Sequence, residues 1–401
     1  MWKTSLLLFI LAILTGGMSF IGWGNIFPER TLHVLLISAI IIAVYLIKRP
    51  LDQRSEIWQF AYLFAFIPFI SVLGANLYHN QPVILTFFTT FKNLGYYLFF
   101  LLCAIRMKER EVIKVIFIYA YIWTFMEVVQ QFTYPTYWFA TRFDDEISAI
   151  EIRNGIYRFA IIGHQLCLIM MFYCFGKAAI ENHTKYYLGL FVGIVGIYLT
   201  TTRQVIGVSF FAMAIVFLFA KKYKYTNMLA VFLIVFVLSL NYSTLFGFFV
   251  DKTMEIDEDY IRFITYRFYG LQYNDGDLLR SILGNGAFDS STEYGREILS
   301  HREEGLYLSD IGYVGTYATY GFVYVILIVV FYIYAFRNYK YLNYYLKMYL
   351  IYILLTGVMH WSFGKDPSSV GISAIAFYLL HLSIVQNKYL EEASRRAGFP
   401  Y

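Results

Sequence analysis

The chain has 401 residues, of which 59% are hydrophobic, 21% aromatic and only 15% charged. Soluble domains are about 45–50% apolar and about 25% charged, so this composition excludes a soluble protein and indicates an integral membrane protein. The net charge of +5 is not a sign of a nucleic-acid partner, and we predict none. In a membrane protein the placement of Lys and Arg along the chain matters more than their sum.

Two residue types limit how the helices pack and what they bind. The 39 Phe and 38 Tyr residues predict that bulky rings, rather than small residues, fill the contacts between helices. All three cysteines lie in apolar stretches, which excludes a disulfide scaffold and a CxxC-type metal site.

Twelve stretches of the sequence are apolar enough to cross a membrane, for which about 20 residues are needed. They lie at 4–23, 31–47, 57–76, 83–105, 112–132, 158–176, 185–201, 204–219, 226–249, 311–335, 343–363 and 369–386. The first is not interpreted as a cleaved signal peptide, because the second follows within ten residues. We therefore predict an all-α polytopic membrane protein with about twelve transmembrane helices, folded as a single integral membrane domain over residues 1–401.

The basic residues predict the orientation of the chain. With a cytoplasmic N-terminus, 19 of the 32 Lys and Arg residues fall in inner segments and 12 in outer segments. Half of the outer ones lie in one long loop, which the positive-inside rule weights weakly. Both termini are therefore predicted to be cytoplasmic.

Two outer segments are longer than ordinary connections. Residues 133–157 mix aromatic and charged side chains, as an interfacial helix or a re-entrant segment does. Residues 251–310, between the ninth and tenth spans, carry six basic and thirteen acidic side chains, a formal charge of −7. Anion binding by the arginines of this acidic loop must then depend on local geometry rather than on a broad field. No internal repeat relates the two halves of the chain, which counts against a repeat-built transporter.

Three polar side chains within the spans are candidate substrate ligands. Lys92 lies about 14 Å deep in the fourth span and needs a charged partner or a wet cavity; the alternative is a structural ion pair with Glu127 of the fifth span. Arg158 opens the sixth span, where it either binds an anion or anchors the helix at the interface. His164, about 9 Å deeper on that helix, is either a packing histidine or a catalytic one.

Further candidates lie in the outer turns. Arg203 follows two threonines in the shortest outer turn, where an external anion is a natural partner and an interface anchor the alternative. Arg262 and Arg267 lie on a predicted helix of the long loop, separated by about 140°, so that one faces the site and the other faces water. The following Gly284-Asn285-Gly286 turn by itself indicates only left-handed backbone.

Asp310 lies at the outer mouth of the tenth span. A carboxylate at that position is expected to cap the helix N-terminus, to orient or deprotonate an acceptor hydroxyl, or to do both.

Taken in order, these features resemble the O-antigen polymerase and O-antigen ligase family. Its members are bacterial membrane glycosyltransferases that use undecaprenyl-diphosphate-linked oligosaccharides at the outer face of the plasma membrane. The resemblance covers roughly residues 155–325: an arginine opening a mid-chain span, the Thr-Thr-Arg turn, an arginine-bearing loop helix leading to Leu-Gly-Asn-Gly, and a polar residue before Gly-x-x-Gly. Each motif is short, and their order and sidedness carry the resemblance.

The resemblance implies a metal-independent polysaccharide polymerase of the bacterial inner membrane that needs no cofactor and releases undecaprenyl diphosphate. It implies that Arg262, Arg267 and Asp310 are catalytic. The expected substrate-binding residues are Lys92, Arg158, His164, Arg203 and His301. The implied partners are a lipid-linked oligosaccharide donor and acceptor and membrane lipid, and the resemblance leaves room for a chain-length regulator.

Two departures from the family pattern bear on the chemistry. Gln204 follows the turn arginine where relatives often have a small residue, and Ser309-Asp310 stands where ligase-type members carry His-Asn. The second departure favours a polymerase over a ligase. The loop's one histidine, His301, lies in the hydrophilic segment His-Arg-Glu-Glu-Gly, which we expect to be solvated and mobile, so Asp310 is the preferred base.

Alternative functions follow from the same features. An O-antigen ligase would transfer the glycan to lipid A core. A lipid-linked oligosaccharide flippase would need repeat symmetry and short loops, and a scaffold for polysaccharide export would need no arginine cluster. Outer aromatic residues offer stacking faces for sugars or an ordinary interfacial belt: Tyr134, Tyr137, Trp138, Tyr266, Tyr269 and Tyr273.

Overall fold

The structure is a computed structural model that describes residues 2–19, 29–47, 55–136, 138, 152–153, 156–157, 159, 162–181, 183–218, 261–359, 363–364 and 366–396. The chain divides into two compact units. The first consists of Met1–Val115, Ile261–Asn343 and Thr356–Tyr401, and the second consists of Ile116–Tyr260 and Tyr344–Leu355.

Helices dominate the described part of the chain. They are α1 (Trp2–Leu14), α2 (Gly16–Ser19), α3 (Glu29–Ile47), α4 (Ile57–His79), α5 (Val83–Ala104), α6 (Glu109–Thr133), α7 (His164–Glu181), α8 (Thr184–Leu199), α9 (Arg203–Leu218), α10 (Ile261–Arg267), α11 (Leu278–Leu283), α12 (Glu293–Glu303), α13 (Gly312–Arg337), α14 (Tyr344–Thr356) and α15 (Pro367–Arg396). Five of these, α4, α5, α6, α13 and α15, are long and apolar enough to cross a membrane, and five shorter apolar helices accompany them. The predicted all-α membrane class therefore agrees with the described residues.

Two predicted spans have different boundaries in the structure. The span at 4–23 is interrupted, because α1 ends at Leu14 and the next two glycines have φ values of 55° and 59°. The span at 158–176 begins later: strands β1 (Ile152–Arg153) and β2 (Ile156–Tyr157) pair antiparallel, and α7 starts only at His164. Residues 162 and 163 form a turn, so the helix that starts at His164 does not continue back to the predicted start. The segment 133–157 thus contains a short antiparallel strand pair, and most of the region predicted as an interfacial helix or re-entrant segment lies outside the described residues.

The last two predicted spans also differ from the observed helices. The span at 343–363 is shorter, since α14 ends at Thr356 and a turn follows. The span at 369–386 is longer, because α15 continues to Arg396 through the polar sequence after residue 386. The ninth predicted span, at 226–249, lies outside the described residues.

Aromatic rings fill the centre of the first unit. Phe64 of α4 is fully buried, and five ring centroids lie 5.2–5.9 Å from its own. These rings belong to Tyr96, Tyr324, Phe331, Phe363 and Phe377. Each such pair contributes about 0.5–1.5 kcal/mol beyond its buried area. The helices around Phe64 thus contact one another through aromatic rings, as predicted for the chain.

The second unit packs differently, and there the prediction is wrong. Gly189, Gly193 and Gly196 lie on one face of α8 against side chains of α7. A Cβ at Gly193 would lie 2.7 Å from the Cβ of Met171, and one at Gly196 would lie 2.8 Å from Cys167 Sγ. Small residues at these positions allow the two helix backbones to approach closely.

Residues 261–310, which belong to the predicted long outer loop, are a folded layer. Helix α10 continues into a wider π-helical turn at Phe268–Gln272, and α11, α12 and a 3₁₀ turn at Leu308–Asp310 follow. The layer has its own apolar core, in which the buried side chains are Tyr269, Tyr273, Tyr294, Ile298, Leu306, Leu308, Ile311 and Ala318. Side chains held by such a core have defined positions, which a mobile loop would not provide.

The Gly284-Asn285-Gly286 turn docks this layer onto a break in helix α13. Gly321 has φ 78° and ψ 177°, so the helix opens there. The freed carbonyls of Ala318 and Thr319 accept hydrogen bonds from the backbone N–H groups of Asn285 and Gly286, at 3.0 and 2.8 Å. A Cβ at Gly284 would lie 2.4 Å from the Gly321 nitrogen, so only glycine permits this approach.

Gln81 provides a second attachment of the layer. This side chain is 1% exposed and donates to Thr86 Oγ1 at 2.6 Å and to the Ala287 carbonyl at 3.0 Å. Its Oε1 accepts from the Asp289 N–H and the Thr292 hydroxyl, both at 2.9 Å. All four bonds of the buried amide are therefore satisfied, which stabilises the docked position of the layer.

Candidate functional site

Two predicted catalytic residues, Arg262 and Asp310, lie around one side chain of the folded layer. Tyr266, one turn after Arg262 on α10, has a raised pKa because it is desolvated; Arg262 opposes the rise and the Asp310 carboxylate adds to it. The Tyr266 hydroxyl donates to the Val358 carbonyl, and Arg262 Nη1 lies 3.9 Å from the sulfur of Met359. We refer to Arg262, Tyr266 and Asp310, with the backbone at 358–359, as the Arg262 site.

Among the described residues, the side-chain contact of the Arg262 guanidinium is with a weak acceptor. A thioether sulfur is only a weak acceptor, and within residues 261–359 and the other described segments no carboxylate forms an ion pair with Arg262. A guanidinium that lacks a carboxylate partner retains its charge and its planar set of donors for a phosphate.

Asp310 does not cap the tenth predicted span, so that expectation is wrong. The residue ends the 3₁₀ turn Leu308–Asp310, and the cap position of α13 is Ile311, which makes no side-chain cap bond. The Asp310 carboxylate instead accepts a hydrogen bond from the Ser309 hydroxyl at 3.1 Å. Its position is set by the turn and by the packing of Leu308 and Ile311 into the core of the layer.

The other two candidates of the long loop have different surroundings. Arg267 is exposed while Arg262 is half-buried, in agreement with their predicted angular separation on the helix. His301 is not in a mobile stretch, contrary to expectation: it lies in the last turn of α12, half-buried, with Nδ1 3.1 Å from the Tyr269 hydroxyl. Tyr269 is fully buried, and Tyr273 is 8% exposed, so neither ring forms an outer stacking face.

The remaining predicted ligands lie elsewhere. Lys92 is half-buried in a 3₁₀ turn within α5, in the first unit, and His164 is the first residue of α7, not a residue deep within it. Glu127 of α6 is fully buried, and neither of its carboxylate oxygens has a hydrogen-bond partner in the described segments. Arg158 and the Arg203 side chain lie outside the described residues, so their convergence on Arg262 stays a prediction.

A second polar group, which the sequence interpretation missed, surrounds Arg280 of α11. Arg280 Nε donates to Asn285 Oδ1 at 2.6 Å, and Nη2 lies 3.3 Å from His79 Nε2. His79 Nδ1 lies 3.4 Å from Glu297 Oε2, and Glu297 Oε1 accepts from the Tyr273 hydroxyl at 3.2 Å. Together with the rings of Tyr78, Tyr273 and Tyr294, these four residues form the Arg280 cluster.

Two local signals mark the Arg280 cluster in the sequence. Arg280 stands four residues before Gly284, and His79 follows an apolar span. The contact between them joins positions 201 residues apart, which neither signal predicts.

Hydrogen bonds lower the pKa values of two carboxyl groups in and beside the cluster. The bond with His79 holds the pKa of Glu297 below its usual range. The Arg280 backbone N–H, which donates to Asp277 at 3.0 Å, likewise lowers the pKa of that carboxyl group. Burial raises the pKa of the Tyr273 and Tyr294 hydroxyls, so both remain neutral hydrogen-bonding groups.

We expect Glu297→Gln to lower stability at neutral pH by less than about 1 kcal/mol, since this carboxylate is 40% exposed. Because the folded pKa lies below the usual value of 4.5, the charge stabilises the native state above that value and this contribution disappears as the pH falls through the folded pKa. Thermal unfolding should therefore show a constant difference between wild type and variant from about pH 7 to about pH 5, shrinking below about pH 4. The exposed control Glu303→Gln should show no such change. If the stability difference between wild type and Glu297→Gln were the same at every pH, the ionic contribution of Glu297 would be contradicted.

Residues that could hold a metal ion are not clustered in the described segments, where no group of three His, Cys, Asp or Glu side chains has suitable geometry. The Arg262 site offers a guanidinium, a phenol and a carboxylate as its functional groups. Comparison with known proteins adds no family: no protein-family model matches the chain, and no curated protein matches it.

Proposed function

We propose that the protein is a polysaccharide polymerase that joins undecaprenyl-diphosphate-linked oligosaccharide units at the outer face of a bacterial plasma membrane. The observation that supports this most is the Arg262 site, in which Arg262 and Tyr266 contact the neighbouring residues Met359 and Val358 and the Asp310 carboxylate is near enough to raise the pKa of Tyr266. Arg262 and Asp310 are the two kinds of residue that displacement of a lipid diphosphate by a hydroxyl requires.

The proposed chemistry follows from charge development. Breaking the bond between the sugar C1 and the diphosphate places negative charge on the leaving phosphate, and Arg262 donates hydrogen bonds to it. The acceptor hydroxyl attacks C1 and its proton passes to Asp310, whose carboxylate is held beside the Ser309 hydroxyl. In an oxocarbenium-like transition state the proton leaves late, so the orientation of the hydroxyl matters more than the basicity of the carboxylate.

The activity is tested by incubating the purified full-length protein in detergent with an undecaprenyl-diphosphate-linked repeat unit. We expect release of undecaprenyl diphosphate together with glycan longer than one unit, both measured by mass spectrometry. Release that requires added lipid A core would identify a ligase. No release would contradict a glycosyltransferase and favour a flippase or a scaffold.

The proposal includes a topology of twelve spans with both termini in the cytoplasm and residues 251–310 outside. It is supported by the five long and five shorter apolar helices of the described residues and by the distribution of Lys and Arg. We expect a cysteine at the exposed position Ser290 to react with a membrane-impermeant maleimide in intact cells. Labelling only after the inner face is opened would reverse the orientation and remove the proposed outer site.

We expect Asp310→Asn to reduce polymer formation more strongly than His301→Ala. Asn keeps the size of the side chain and a hydrogen-bond acceptor for Ser309 but cannot take a proton. His301 contacts Tyr269 in the core of the layer, so its loss should lower thermal stability rather than turnover per folded molecule. Rates are compared at equal amounts of folded protein. A normal rate for Asp310→Asn with no product from His301→Ala would assign the base to His301.

A further inference from the structure

The guanidinium of Arg280 is held in one orientation by buried polar groups. Its Nε and Nη2 atoms face Asn285 Oδ1 and His79 Nε2, two atoms that lie 3.0 Å apart, so one edge of the guanidinium spans both. Asn285 is fully buried, and the His79 side chain is 6% exposed. The guanidinium carbon lies 4.9 Å from the Tyr273 ring and 5.5 Å from the Tyr78 ring, which restricts its plane.

The positive charge of Arg280 has no ion-pair partner in the described segments. Two carboxylates are near, but each has other partners: Asp277 accepts from the Arg280 backbone, and Glu297 binds His79 and Tyr273. Nη1 donates to no described residue and is not among the buried unpaired atoms, so it remains accessible. An arginine whose other edge is fixed, with a donor left over and no direct ion pair among the described residues, is suited to a phosphate ligand.

The Arg280 guanidinium lies beside the far end of the helical run that carries Arg262. The helical run that starts at Ile261 continues to Gln272, and the next residue, Tyr273, carries the ring beside Arg280. Gln272 is ten residues after Arg262, which corresponds to at most about 15 Å of helix because the π-helical turn rises less per residue. A single diphosphate group does not span that length, so the layer contains two separate cationic positions.

We propose that the Arg280 cluster binds the diphosphate of a second lipid-linked substrate, the acceptor, while the Arg262 site binds that of the donor. This assignment rests on the proposed function, because a polymerase uses two lipid diphosphates in each cycle. A ligase of the alternative kind would use only one. The local geometry of Arg280 also meets the requirement that an acidic layer binds anions through positioned donors rather than through its overall field.

The test measures binding rather than turnover. Farnesyl diphosphate is titrated into the full-length protein in phosphatidylcholine nanodiscs, and the number of saturable sites is measured by calorimetry. We expect two sites for the wild type, one for Arg280→Gln, one for Arg262→Gln and none for the double variant. The matched control Arg296→Gln, exposed on α12, should retain two sites.

A milder variant separates binding from folding. Arg280→Lys keeps the positive charge but lacks the planar fork, so it should fold with a melting temperature close to wild type and bind at the second site at least about 10-fold more weakly. Two unchanged sites in both Arg280 variants would overturn the proposal. Binding lost only in parallel with the melting temperature would also overturn it, since Arg280 would then only stabilise the layer.

Two competition experiments identify the ligand. Inorganic pyrophosphate should compete at both sites, because the recognised group is the diphosphate. Displacement of farnesyl diphosphate from the second site by phosphatidylglycerol in the nanodisc would contradict the acceptor assignment and identify a phospholipid site. If the protein releases no undecaprenyl diphosphate in the turnover assay but still loses one of two binding sites in Arg280→Gln, the proposed function fails while the diphosphate site stands.

Discussion

Replacing Arg262 by Ala is expected to slow polymer formation by about 10- to 150-fold, because a fully engaged charge-assisted contact is worth about 1.5–3 kcal/mol. The half-buried position of Arg262 beside Tyr266 and the weak acceptor at Met359 leave its donors for the leaving diphosphate. Arg262→Lys should recover only part of the rate, since an ammonium lacks the bidentate fork. The rate is measured as released undecaprenyl diphosphate at equal protein levels.

Arg267 offers a matched control on the same helix. Its exposed side chain points away from the Arg262 side, so Arg267→Ala should polymerise at nearly the wild-type rate. This sharpens the expectation from sequence, in which either arginine was a candidate. Normal polymer from Arg262→Ala, or a large loss confined to Arg267→Ala, would contradict the assignment of the site.

The second large effect is expected at Gly284. Gly284→Ala places a Cβ 2.4 Å from the Gly321 nitrogen and 2.5 Å from the Thr319 carbonyl oxygen, at a backbone φ of 76°. Overpacking and left-handed strain together should destabilise the protein by about 2–5 kcal/mol, through undocking of the layer from α13. Thermal unfolding in detergent and the amount of folded protein in the membrane measure this loss.

Gly276 provides a control in which an added Cβ would cause backbone strain without a steric clash. It has a similar φ of 69°, but nothing lies within 4 Å of a Cβ built there. Gly276→Ala should therefore lower stability by only about 1–2 kcal/mol, the contribution of the left-handed conformation alone. Equal losses for the two variants would show that the close approach to Gly321 is unimportant.

The class of the protein and most of its apolar helices follow from the sequence alone. Residues 57–76, 83–105 and 112–132 coincide closely with α4, α5 and α6, because a segment that crosses a membrane must be about 20 apolar residues long and must satisfy its backbone internally. Both requirements are local, so a window along the chain detects them. The helical loop segment with Arg262 on one side and Arg267 on the other is predictable for the same reason, since its periodicity is local.

Helix ends and polar contacts depended on the tertiary structure. Asp310 is a residue type that often caps a helix N-terminus. Helix α13 nevertheless begins after Ile311, because the preceding turn packs Leu308 and Ile311 into the core of the layer. The Arg280 cluster joins the end of α4 to α11 across 201 positions, and Asn285 donates to the Ala318 carbonyl, which a break at Gly321 makes available. Such contacts depend on where the chain returns in space, and no local pattern of residues determines that path. Composition and period therefore determined the membrane class and its helices, whereas only the tertiary structure decided which arginines meet acceptors, carboxylates and rings.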